Sequence, residues 1–183
     1  MRKANRGILF LLITALCILS FTGCSQFSLN LINKLTSEDS ELVKDESNEI
    51  IRCLTEKDRD GFCALFSEQA RQSETFEQEV DALFDFFRCD VYIKAGIEEL
   101  AGGGGSLESG NRTDWYLRPE ITYIQVLVPS ESGADEMDYR YYGVHYYWQV
   151  KDDAHPENVG LHHLQIDLLN TDESVVVGTT ADD

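Results

Sequence analysis

The stretch FEQEVDALFDFFRCDVYIKA, from Phe76 to Ala95, changes period in its middle, and that change decides the fold. Up to Phe87 the apolar residues Phe76, Val80, Leu83, Phe84 and Phe87 recur at the three- and four-residue intervals of a helix, with Glu77, Asp81 and Asp85 on the opposite side. From Cys89 the interval is two: Val91, Ile93 and Ala95 alternate with Asp90, Tyr92 and Lys94, which predicts a strand. Helices therefore precede this point and strands follow it. A chain that segregates its elements in this way forms an α+β domain.

Working toward the N-terminus, Asp58 is a natural cap for a helix with the stripe Phe62, Leu65, Phe66 and Ala70. Before it, Ser37 with the acids that follow reads as the start of a helix whose apolar positions are Val43, Ile50, Ile51 and Leu54. Three helices are thus expected ahead of the sheet.

Working toward the C-terminus, the four successive glycines Gly102 to Gly105 fit a flexible loop over 101–112; without a GK[ST] or a following helix they do not make a phosphate cradle. Beyond them, residues 115–128, 139–151 and 159–169 pair on paper as antiparallel strands. Leu117, Ile121 and Tyr123 then lie opposite Val150, Tyr146 and Val144, while Trp148, Tyr146 and Val144 lie opposite His162, Leu164 and Ile166. One face is nearly all apolar. The other carries Arg118, Glu120, Thr122, His145, Tyr147, His163, Gln165 and Asp167. A two-residue slip would preserve both faces. Pro119 calls for an edge or a bulge that bends the first long strand, and residues 174–178 fit a short final strand. The expected architecture is three N-terminal helices packed on a curved antiparallel sheet of about four strands.

The N-terminus sets the expected compartment. Arg2, Lys3 and Arg6 precede an apolar run over 8–19, and Phe21-Thr22-Gly23-Cys24 is similar to a lipobox, in which the cysteine thiol receives diacylglycerol and becomes the first mature residue. The run is too short for an ordinary membrane span of about 20 apolar residues. Residues 1–23 therefore read as a lipoprotein signal peptide, 24–36 as a lipid-anchored tether, 37–178 as one domain and 179–183 as a disordered tail. An uncleaved signal anchor is the alternative; either way the domain is expected on the extracytoplasmic face of the cell membrane. Losing Arg2, Lys3 and Arg6 takes the formal charge from −18 to −21. So acidic a surface lacks the basic patch a nucleic-acid backbone needs, so nucleic acid is not an expected partner.

Cys53, Cys63 and Cys89 remain for the domain, either as buried thiols or with one disulfide among them in any of three pairings. No metal site is expected: His162 and His163 are adjacent, strand neighbours point to opposite faces, and no HxH or HExxH occurs. No cofactor motif and no GxSxG elbow is present either.

The order of helix, Lys57-Asp58, Leu65-Phe66-Ser67, long helix, glycine-rich stretch before Trp115, Tyr/Trp-rich strand and Pro156-Glu157-Asn158-Val159-Gly160-Leu161 resembles the domain-of-unknown-function 5104 family of bacterial lipoproteins. That family is similar to the nuclear transport factor 2-like, cystatin-like superfamily. The resemblance implies a cone of helices and curved sheet with a pocket at its wide end. In the register above, Tyr123, Tyr146, Trp148 and His162 converge on the apolar face beneath the third helix and form the candidate ligand site. The expected function is binding of a small apolar ligand or an envelope protein; the alternative is a small pocket isomerase or hydrolase with His162 as acid or base.

Overall fold

The computed structural model describes residues 35–98, 102–130 and 136–179. The signal-like segment, Cys24 and most of the expected tether lie outside them, as does the tail over 180–183. The chain divides into two units, residues 1–39 and 40–183. Of the first, residues 35–39 are described, and they are helical. The helix, α1, runs over residues 35–56, so Ser37 lies inside it and is not its cap. No helix among the described residues is long and apolar enough to cross a membrane.

In the second unit α2 (Arg59–Leu65) is capped by Asp58, whose carboxylate accepts from the Gly61 amide at 2.9 Å. The helix expected to continue to Ala70 breaks at Phe66, and α3 (Glu68–Arg71) starts afresh from a Ser67 cap. The break has a tertiary cause. Phe66 forms a parallel bridge with Leu161, and the Ser67 amide donates to the Leu161 carbonyl at 2.9 Å. Gly160 makes this approach possible, because a Cβ there would stand 2.6 Å from the Ser67 nitrogen. α4 (Phe76–Phe86) follows the expected period, with Phe76, Val80 and Leu83 buried. Its outward Glu77 and Asp81 both pair with Arg59. Among the described residues there are thus four helices.

Among the described residues the sheet has seven strands, not about four: β1 (Val91–Ile97), β2 (Gly102–Glu108), β3 (Asn111–Arg118), β4 (Glu120–Pro129), β5 (Met137–Asp152), β6 (Gly160–Leu168) and β7 (Ser174–Gly178). β5 is the spine. β4 and then β3 follow one of its edges, parted at Pro119, with β1 outside β4 and β2 outside β3; β6 lines the other edge and β7 follows it. Every pairing is antiparallel. β1 departs from its expected alternation: a bulge lies between Tyr92 and Lys94 of this edge strand, and Val91 and Ile93 are exposed.

The glycine stretch, expected as a loop, is strand β2. A two-residue turn closes the β2–β3 hairpin, with Ser109 at φ 52° and Gly110 at φ 84°, the paired left-handed conformation of a type I′ turn. A Cβ at Gly105 would stand 1.9 Å from the Asp114 carbonyl oxygen, so side chains there would push β2 off β3.

One core joins α1, α2 and α4 to the inner sheet face. It includes Ile50, Leu54, Phe62, Phe76, Leu83, Ile121, Ile124, Tyr142, Val144, Leu161, Leu164 and Ile166. The pairs Tyr146–Leu164 and Val144–Ile166 are as expected. On the other edge the register is slipped by two, with Ile121 opposite Val144 and Leu117 opposite Trp148, which keeps Leu117 and Ile121 on the inner face.

Candidate functional site

Two bulges decide which expected site residues meet. The first lies between Ile121 and Ile124 of β4. It places Ile124, not Tyr123, in the core, and turns Thr122 and Tyr123 together to the outer face. Tyr123 lies against Gly96 of β1, where an added Cβ would stand 2.6 Å from the tyrosine ring. The second bulge lies between Tyr147 and Trp148 of β5, where β6 carries one residue more. Leu161, not His162, is therefore opposite Trp148, and His162 packs its ring edge-on to Tyr147 at 5.8 Å. The expected convergence of Tyr123, Tyr146, Trp148 and His162 on the apolar face does not occur. Tyr146 and Trp148 belong to the core side, Tyr123 and His162 to two separate cavities on the other.

The apolar face is buried around Tyr146. Tyr146 is 3% exposed, and its hydroxyl shares a hydrogen bond of 2.8 Å with Ser47, itself fully buried on the inner stripe of α1 with Val43, Ile50 and Leu54. Burial pushes the Tyr146 hydroxyl well above its ordinary pKa. Beside this pair stands Glu46, which pattern reasoning passed over. Its carboxyl is pushed up to about 7, first by burial and then by the neighbouring Glu49 charge.

His162 lines a cleft of about 600 Å³ between α3, a 3-10 turn (Pro156–Asn158) and the ends of β5 to β7. Its Nε2 lies 2.6 Å from the Asn158 carbonyl oxygen. A carbonyl can only accept, so Nε2 carries the proton and Nδ1 is left as an acceptor in the neutral ring. Tyr147 donates to Gln149 Oε1 at 3.2 Å, while the Gln149 amide donates to Asp114 Oδ1 at 2.6 Å and to the Lys151 carbonyl at 2.7 Å. Asn158 donates to Asp152 Oδ2 at 2.9 Å, and this bond helps to hold the Asp152 carboxyl below its usual range. The back of the cleft is thus tied by hydrogen bonds. Its front, Gln69, Gln72 and Ser73, comes from α3 and the turn after it. No Asp, Glu, Lys or Arg is among the lining residues, although a quarter of the chain is charged. A histidine that acts as acid or base is usually steered by a carboxylate, and the groups lining this cleft supply none.

The cysteines are thiols: Cys53 and Cys89 are buried and Cys63 is half-buried. Burial raises all three, Cys53 to about 11, which makes them poor nucleophiles at neutral pH. Among the described residues no cluster of three or more histidine, cysteine or acidic side chains is placed to hold a metal ion.

Helices packed against one face of an antiparallel sheet define an α+β domain. Residues 49–173 match the family described as a domain of unknown function, DUF5104, and the chain belongs to that family. No curated protein matches it.

Proposed function

We propose that the chain is an extracytoplasmic lipoprotein, anchored in the cell membrane through lipid on Cys24, whose domain binds a small neutral polar molecule in the cleft beside His162. The observation that carries the ligand reading is the lining of that cleft. A lining of amide, hydroxyl and imidazole groups that includes no charged side chain matches a ligand that exchanges hydrogen bonds without net charge. The burial of Tyr146 against Ser47 on the inner face supports replacing the expected apolar ligand with a polar one. Anchoring rests on Arg2, Lys3, Arg6, the apolar run and Thr22-Gly23-Cys24. Likeness to the nuclear transport factor 2-like cone belongs to the same proposal, supported by the helical layer over one antiparallel sheet. The alternative partner, an envelope protein, would be met by the outer face.

Two measurements test this reading. Radiolabelled palmitate should enter the wild-type chain and be absent from Cys24→Ser; equal labelling contradicts the anchor. The full chain, isolated from its membranes, should retain a neutral polar compound identifiable by mass spectrometry, and Gln69→Ala combined with Gln72→Ala should release it. Retention of apolar or charged compounds alone contradicts the ligand class.

A further inference from the structure

The larger of the two cavities on the outer face is the one that holds Tyr123. It has a volume of about 750 Å³ and is lined by Lys94, Thr122, Tyr123, Gln125, Tyr141 and Asn170, together with Leu169. Three of these form one cross-strand row: Lys94 of β1 lies opposite Gln125 of β4, which lies opposite Tyr141 of β5. Gln125 is 9% exposed and donates from Nε2 to the Tyr141 hydroxyl at 3.0 Å, which fixes that ring against the floor. Tyr123 reaches the same space because the bulge after Ile121 turns it outward, and Gly96 leaves the room its ring occupies. The Lys94 ammonium stands 5.7 Å from the Tyr123 ring centre.

The charge pattern is what separates this cavity from its surroundings. The chain has 33 acidic residues against 15 basic ones, yet the lining holds a lysine and no carboxylate. Among the described residues Lys94 makes no ion pair, and its ammonium stands over the Tyr123 ring. Two tyrosine walls offer flat apolar surface, and Lys94 and Asn170 offer donors at the rim, while the Thr122 hydroxyl donates to the Gly96 carbonyl at 3.1 Å. The overall acidity opposes an anion from afar, but salt confines that effect to charges within about 8 Å.

We infer that the outer cavity is a second binding site, for a ring-bearing molecule with a single negative group: the ring between Tyr123 and Tyr141, the negative group at Lys94. This site is distinct from the His162 cleft in both residues and ligand charge, so either can fail without the other.

The test is a titration of the full chain with 2-naphthoate and, separately, with its uncharged counterpart 2-naphthamide, followed by backbone amide shifts in nuclear magnetic resonance. Saturable shifts are expected at Lys94, Thr122, Gln125 and Asn170, with naphthoate bound more tightly than naphthamide. Lys94→Ala should raise the naphthoate Kd by fivefold or more and change the naphthamide Kd by less than twofold. Tyr141→Ala, at a partly exposed position, should weaken both. Absence of saturable shifts for naphthoate, shifts that map elsewhere, or a naphthoate Kd indifferent to Lys94→Ala would each overturn the inference.

Discussion

The two faces of the sheet carry similar aromatic side chains and put them to different use. On the inner face Tyr142 and Tyr146 are almost wholly buried, each with its hydroxyl tied to a helix: Tyr142 donates to the Phe86 carbonyl at 3.3 Å, and Tyr146 pairs with Ser47. On the outer face Tyr123, Tyr141 and Tyr147 border cavities. Residue type does not distinguish the two groups. Strand register and its two bulges do, because one extra residue in a strand sends every later side chain to the opposite face.

The comparison breaks most severely if inner-face residues prove dispensable. Leu164→Ala removes a fully buried side chain and is expected to cost about 2–5 kcal/mol in urea unfolding, whereas Tyr141→Ala on the outer face should cost well under that. Comparable losses at both positions would mean that the outer face is core as well.

A second contrast lies within β2. Gly105→Ala forces a Cβ into the Asp114 carbonyl at a φ of 144° and is expected to cost about 1–3 kcal/mol, while Gly102→Ala, with nothing within 4 Å, should be nearly silent. Equal effects would show that the glycines serve a loop rather than a strand.

What was legible in the sequence follows the same division. Helix α4, the Asp58 cap, the break at Pro119 and the pairing of Val144 with Ile166 were readable, because each rests on periodicity or a local capping rule over several residues. The α2–α3 break was not, since its cause is Leu161, nearly a hundred residues away. Strand β2 was hidden by glycine's poor strand propensity, although Ser109-Gly110 is a turn dipeptide that could have disclosed the hairpin. For the candidate site, His162 was named but set on the wrong face. No alternation rule anticipates a bulge opposite Tyr147.

Smaller effects sharpen the account. Glu46 holds its proton to about pH 7 in the folded chain and to about 4.5 when unfolded. The folded state therefore binds the extra proton between those values, and stability should fall as pH rises through this window, by about 1–3 kcal/mol for a half-buried group. Glu46→Gln should remove that slope in urea midpoints taken from pH 5 to pH 8; an unchanged slope would place its cause elsewhere. At the smallest end, His162→Leu should alter stability by less than about 1 kcal/mol, since it removes one hydrogen bond to the Asn158 carbonyl at a half-buried position. A larger loss would make His162 part of the core after all.

The most direct measurement of the central claim is a crystal structure of the protein isolated with its retained compound. The account predicts a neutral polar molecule in the cleft, within hydrogen-bond distance of His162 Nδ1 and of Gln69 or Gln72, with the inner face around Tyr146 and Trp148 closed. A ligand lodged instead between α4 and the inner sheet face, beside Tyr146 and Trp148, would contradict it.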